Sequence, residues 1–172
     1  FWLFAAIFWL GCVEVGRDPG VTKEEALQIE AYALGAQGLD PARKHVLTAW
    51  DKLSEAPTFE VFKTTLRARV LPAVEAYLTA LEAAGSGHEG LKKVHGALVE
   101  SYGRFVQELR ALSSKAATRT PPEVEADLRA LLVEARQAQA VYQQDMATIY
   151  ARSGYKLVAE EAIPKTSPSN EK

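Results

Sequence analysis

Apolar residues recur every three or four positions along most of the chain between residues 22 and 154, which is the spacing of one face of an α-helix. In the most regular segment they repeat every seven residues, at Leu91, Leu98, Phe105 and Leu112. A second set lies four residues after the first three of these, at His95, Tyr102 and Leu109. Such a repeat is typical of the seam between helices of a bundle. No segment sustains the two-residue alternation that indicates a strand.

Start and stop signals divide this region into five predicted helices. The four marked starts are Thr22, Asp40, Thr58 and Thr120, whose side chains can cap a first turn. Thr22 and Thr120 are each followed by Glu three residues later, which completes a capping box. The predicted stops are Gly35 or Gly38, Pro57, Gly85 and Gly154. Pro72 lies inside the third helix and predicts a kink, because proline lacks the N–H of the helical hydrogen bond.

These signals predict an all-α fold, an up-and-down helical bundle of four to five helices over residues 22–154. In the first helix the predicted apolar positions are Leu27, Ile29, Tyr32 and Leu34. Residues 12–21 contain two Gly and one Pro without periodicity, and they predict a short tether. Residues 155–172 end in a polar stretch with two Pro, and they predict a mobile C-terminal tail.

The first ten residues are all apolar and precede the bundle as a signal-like segment. A helix that spans a membrane needs about 20 such residues, whereas the apolar region of a signal peptide has about 7–15. Residues 1–11 therefore predict a signal peptide, and we expect its positively charged region upstream of Phe1. The alternative is a buried N-terminal helix of the domain that ends in an incidental cysteine.

The segment Leu10-Gly11-Cys12 resembles the lipobox of bacterial lipoproteins, in which an apolar stretch leads to small residues and an invariant cysteine. The resemblance implies that the signal is cleaved before Cys12 and that the Cys12 thiol carries a lipid that anchors the protein to a membrane. Val13 follows, where an Asp would favour retention in the inner membrane of enterobacteria. The resemblance thus favours the outer membrane, with the domain facing the periplasm.

Composition and charge narrow the other possibilities. The net charge is −2 and the sequence pI is about 6.0, so there is no basic surface of the kind that binds nucleic acid. The single cysteine, Cys12, cannot form a disulfide within this chain or a cysteine-rich metal site. No catalytic or phosphate-binding motif is found, so we predict no enzymatic activity and no cofactor.

Three residues are candidate ligands for a metal or a haem. His88 and His95 are seven residues apart, and His95 and Met146 lie near the apolar faces of their helices. A periplasmic bundle that binds a small molecule, a metal or a haem is therefore the alternative function. We favour a core role, in which His95 bonds a neighbour such as Tyr102 or a carboxylate and Met146 fills space.

Gly96 and Gly103 lie seven residues apart in the fourth helix, with Val99 and Val106 three residues after each. An interior glycine destabilises a helix by about 1 kcal/mol relative to alanine, so a packing reason is expected. Either another helix of the bundle approaches closely there, which we favour, or the stripe is a groove for a partner helix.

The predicted function is a membrane-anchored envelope lipoprotein that binds or scaffolds an envelope protein partner.

Overall fold

The computed structural model describes residues 13–15 and 21–157. In this part of the chain the helical segments are α1 Lys23–Gln37, α2 Asp40–Ser54, α3 Phe59–Thr65, a π-helical turn Leu66–Val70, α4 Leu71–Ala83, α5 Glu89–Lys115 and α6 Pro121–Arg152. Two short strands, β1 Val13–Val15 and β2 Tyr155–Leu157, complete the described elements. The predicted all-α helical bundle is confirmed. The predicted signal peptide and Cys12 lie outside the described residues.

The first rod of the bundle consists of α1 followed by α2. Gly38 and Leu39 between them keep right-handed helical dihedral angles, so the chain does not leave the helical path. Pro41 has no N–H to donate to the carbonyl of the preceding turn, which explains the interruption. The predicted cap at Asp40 is wrong: Leu39 is the N-cap and Asp40 is already helical, because no extended residue separates the two segments.

The second rod runs from α3 through the π turn into α4. The N–H of Leu71 donates to the carbonyl of Leu66, five residues earlier, which widens the helix just before Pro72. Such a wide turn adapts a helix to a residue that cannot donate to the previous turn. Close to Pro72, where the sequence predicts a kink, the structure has this wider turn, and the helix continues beyond it to Ala83.

The rods are connected in up-and-down order. Gly87, in the turn between α4 and α5, lies against Gln28 near the start of α1. Gly90 at the start of α5 lies against Ile149 near the end of α6. We call this end of the bundle the proximal end. The opposite, distal end contains the turns from α2 to α3 and from α5 to α6. With α5 and α6 as the third and fourth rods, the bundle has four rods.

A continuous apolar core fills the space between the rods. The largest side chains with less than 2% exposure are Ile29, Leu66, Leu81, Leu91, Leu109, Met146, Val70, Val74 and Val124. They come from all four rods, so every rod contributes to one core. The predicted seam of α5 is buried along its length, including His95 and Tyr102.

A small antiparallel ribbon of β1 and β2 lies at the proximal end, since β2 follows directly after α6. Its register pairs Val13 with Leu157 and Val15 with Tyr155. Residues 13–15 of the predicted tether and residues 155–157 of the predicted tail therefore form a ribbon that the sequence did not predict. Three residues of alternation are too few to reveal a strand from sequence, and pairing across the whole chain decides it. Residues 16–20 and 158–172 lie outside the described part.

Candidate functional site

A chain of hydrogen bonds between buried side chains connects all four rods. His95 Nε2 lies 2.8 Å from the carbonyl oxygen of Leu81, and His95 Nδ1 lies 2.8 Å from the hydroxyl of Tyr32. The Tyr32 hydroxyl lies 2.7 Å from that of Tyr142. A carbonyl oxygen can only accept, so Nε2 carries the proton and Nδ1 accepts from Tyr32. The direction of the chain is then fixed: Tyr142 donates to Tyr32, Tyr32 donates to His95, and His95 donates to Leu81.

Burial keeps every member of this chain uncharged. Desolvation lowers the pKa of His95, an effect that the bond to the Leu81 carbonyl partly opposes. Burial likewise raises the pKa of Tyr32 and of Tyr142, so both hydroxyls remain protonated donors. The arrangement therefore suits a fixed connection between helices. Both nitrogens of His95 are already bonded inside the protein, and a ligand could use one only by displacing Tyr32 or Leu81.

A second polar group, Arg43, lies in the same core, nearer the distal end. Its side chain is buried, and Nη1 donates to Asp40 Oδ1 at 2.7 Å. Burial raises the pKa of Tyr77, while the charge of Arg43 and a hydrogen bond from it act in the opposite direction. The ring of Tyr77 meets that of Tyr102 edge to face, with centroids 5.3 Å apart. Sequence reasoning missed Arg43, although it lies three residues before Val46, on the apolar face of α2.

The three residues considered for a metal or a haem lie in different settings. His88 is the N-cap of α5, and its Nδ1 accepts the N–H of Leu91 at 3.2 Å. Met146 is packed in the core with 1% exposure. The predicted partner of His95 is wrong, because Tyr32 and Leu81 occupy its nitrogens instead of Tyr102 or a carboxylate. Among the described residues, no three His, Cys, Asp or Glu side chains converge as metal ligands would.

The predicted stripe on α5 lies partly open on the surface. Gly96 is exposed, Val99 and Gly103 are half-buried, and Val106 is buried in the core. A Cβ atom added to either glycine would meet no described atom within 4 Å. The favoured expectation that another helix of the bundle approaches these glycines is therefore wrong. The groove for a partner helix stays a prediction, and Val106 belongs to the core instead of the open surface.

A pocket of about 440 Å³ opens at the distal end, between α2, α3 and the first half of α6. Trp50, Leu53 and Leu128 form its buried floor. Phe62 of α3 is only half-buried, and α3 has no buried residue, so this short helix does not close the space against α6. Its volume falls within the range of about 300–1,000 Å³ typical of small-molecule sites.

Arginine side chains lie at the mouth of this pocket. Arg129 and Arg136 are two helical turns apart on α6, with Leu132 between them on the same wall. Glu125 also lines the pocket, four residues before Arg129, but the described residues provide no ion pair to Arg129 within 4 Å. By contrast, the equivalent pair on α5 forms, with Arg104 Nη1 2.8 Å from Glu100 Oε1. Sequence reasoning missed this pocket, although the seven-residue spacing of two arginines around a leucine was visible.

Comparison with known proteins finds no family model, no curated protein and no solved structure that matches this chain. Within residues 13–15 and 21–157, no helix is long and apolar enough to cross a membrane.

Proposed function

We propose that this chain is a lipid-anchored protein of the bacterial cell envelope, whose helical bundle acts by binding another molecule and not by catalysis. The observation that carries the proposal is the uninterrupted apolar run of residues 1–10 that leads into Gly11 and the only cysteine, Cys12. In a lipoprotein, Cys12 would receive the lipid on its thiol and would become the first residue of the mature chain. Val13 at the next position favours the outer membrane, with the bundle on its periplasmic side.

The ribbon at the proximal end supports this arrangement. Strand β1 begins one residue after Cys12 and pairs with β2, which follows directly after α6. An anchor on Cys12 would thus be attached through a paired strand to the end of the longest helix. The proximal end would then be held beside the membrane, and the distal pocket would lie farther from it.

The energetics of anchoring explain why the lipidation has to involve more than one acyl chain. One acyl chain gives only marginal membrane binding, whereas two or more, at about 0.8 kcal/mol per buried CH₂, hold a protein stably. Lipoprotein processing attaches a diacylglyceryl group to the cysteine sulfur, and the two acyl chains of this group meet the requirement. Such an anchor leaves the bundle itself free to bind in the aqueous phase.

Metabolic labelling tests the anchor. The chain, expressed in a bacterium with its natural upstream residues, is expected to incorporate labelled palmitate and to fractionate with membranes. The variant C12S should incorporate no label, because serine provides no thiol. The matched control G11A keeps a small residue before the cleavage site and should be labelled like the natural chain. Absence of label from the natural chain would contradict the proposal.

A second candidate function is the binding of a small molecule by the bundle, and the distal pocket favours it. The pocket combines a buried aromatic and aliphatic floor with charged groups at its mouth. This combination is typical of ligand sites, where apolar surface gives affinity and a few polar groups fix orientation. It is compatible with a lipid anchor at the other end of the molecule.

A further inference from the structure

We infer that the distal pocket binds a dissolved single-chain carboxylate amphiphile, a molecule of the fatty-acid class, with its hydrocarbon chain on Trp50 and its carboxylate on Arg129. This inference deepens the proposed binding function by naming its ligand class. The pocket itself does not depend on the lipid anchor, because it is formed entirely by residues of α2, α3, α6 and the turn that follows α2. Only the statement that the ligand comes from solution rests on the proposed anchor.

The floor of the pocket indicates an apolar ligand body. Trp50, Leu53 and Leu128 are each less than 8% exposed, so their side chains present a fixed surface. Phe62 and Leu132 flank this floor and are half-buried, which leaves part of each side chain in contact with solvent. A hydrocarbon chain lying on this floor would remove that apolar surface from water, at about 25 cal/mol per Å².

The mouth of the pocket indicates an anionic head group. Arg129 and Arg136 both line it, and the carboxylate in its lining is Glu125. Arg129 is exposed and, among described residues, has no carboxylate within 4 Å. A guanidinium group offers paired N–H donors that match the two oxygens of a carboxylate. Charge complementarity thus selects a carboxylate amphiphile over a neutral or cationic one of the same length.

The position of the pocket indicates that the ligand comes from solution. Leu128 and the end of α6 at Arg152 are 24 residues apart, or about 36 Å along a helix. The ribbon that would lie beside an anchored membrane follows the end of α6. The pocket is therefore at the end of the bundle remote from that membrane.

Fluorescence titration tests the inference directly. The chain contains three tryptophans, so the substitutions W2F and W9F leave Trp50 as a single reporter in the floor of the pocket. Dodecanoate, added below its micelle concentration, is expected to change the Trp50 emission in a saturable way. Dodecanol and dodecyltrimethylammonium, which have the same chain length, are expected to bind about tenfold more weakly, because they lack the charge-assisted bond to Arg129.

Two variants locate the binding. R129Q removes the charge at the mouth and should weaken dodecanoate binding about tenfold, while binding of dodecanol stays unchanged. R152Q removes an exposed arginine from the last turn of α6, away from the pocket, and should leave both affinities unchanged. Both side chains are exposed, so both variants should fold, which circular dichroism would verify.

The inference would be overturned by equal binding of dodecanoate and dodecanol, by equal effects of R129Q and R152Q, or by no saturable change at Trp50. Concentration-dependent dimerisation that A56F at the pocket wall abolishes, without dodecanoate binding, would also overturn it, since the face would then serve a second copy. Each of these outcomes leaves the lipid anchor on Cys12 untouched, because the titration does not report on acylation.

Discussion

His95 shows, at the scale of single residues, how burial and hydrogen bonding decide what a side chain can do. The sequence places it on the apolar face of a helix, where either a ligand role or a core role is compatible with the pattern. In the fold its ring nitrogens are divided between Tyr32 and the carbonyl of Leu81, and its pKa is lowered by burial. Because its ring is neutral and forms a hydrogen bond at each nitrogen, His95 connects the rods.

Removing the central hydroxyl of this connection should destabilise the bundle. Y32F deletes the group that bonds both His95 and Tyr142, and it leaves their buried polar atoms without that partner. We expect a loss of about 1–3 kcal/mol in the free energy of unfolding, measured by urea denaturation. The control Y102F deletes a hydroxyl for which the described residues provide no hydrogen bond, and it should lose less than about 0.5 kcal/mol. Equal losses would contradict the role of the chain of hydrogen bonds.

The lowered pKa of His95 also predicts how stability depends on pH. Its ordinary value of 6.5 applies to the unfolded chain, which therefore binds a proton more readily than the folded state. The contribution of neutral His95 to the free energy of unfolding is fully present above about pH 6.5. It decreases as the pH falls toward the lower pKa of the folded state. Urea denaturation between pH 7.5 and pH 5, within the range of ordinary histidine titration, should show this decrease.

The variant H95Q should make that pH profile flatter, since the titrating group is gone. The variant H45Q removes an exposed histidine on α2 and should keep the slope of the natural chain. A natural chain whose stability stays constant or rises as the pH falls through this range would show that His95 is not held neutral by the fold.

The sequence predicted correctly which residues are buried where a helix has one apolar face, and it failed where a helix has two. In α1, the predicted positions Ile29 and Tyr32 are buried, but Leu27 and Leu34 are 57% and 67% exposed. Both pairs have helical spacing, so periodicity alone could not choose between the faces. Which face is buried depends on the other rods, and in particular on His95 and Tyr142, which form hydrogen bonds with the Tyr32 hydroxyl.

At the scale of elements, most helix starts could be read from the sequence because capping is local. The Glu25 carboxylate accepts from the N–H and hydroxyl of Thr22, and Glu123 accepts from those of Thr120, as the two capping boxes predict. The cap predicted at Asp40 failed because the path of the chain through Gly38 and Leu39 depends on how α1 and α2 pack. The ribbon was not predicted because its two strands are separated in sequence by almost the whole chain.

The open glycines of α5 lead to a prediction at this scale. G96A and G103A add a methyl group where no described atom lies within 4 Å, so the alanine restricts the unfolded chain without a clash. Each variant should raise the free energy of unfolding by about 0.5–1 kcal/mol, measured by urea denaturation. G90A is the matched control, because its Cβ would lie 3.2 Å from His88 Cε1, and it should gain less.

A loss of stability in G96A or G103A would mean that these glycines are packed against another part of the chain. A gain in stability together with weaker binding to an envelope protein would instead support the partner groove predicted over Gly96, Val99 and Gly103. The two results are distinguishable because one is measured on the isolated chain and the other on a complex.

In the whole molecule, we propose different tasks for the two ends of one bundle. The proximal end contains the ribbon that follows Cys12, and the distal end contains the pocket over Trp50. The hydrogen-bonded chain through His95 lies between them and joins the four rods. The bundle was predictable because helical periodicity is local, whereas the pocket was not, because it arises where three elements fail to close against one another.

The intact mass of the protein extracted from membranes tests the proposed lipid anchor. We predict a chain that begins at Cys12 and carries the added mass of at least two acyl groups. Recovery of an unmodified chain that retains residues 1–11 in the soluble fraction would contradict the anchor.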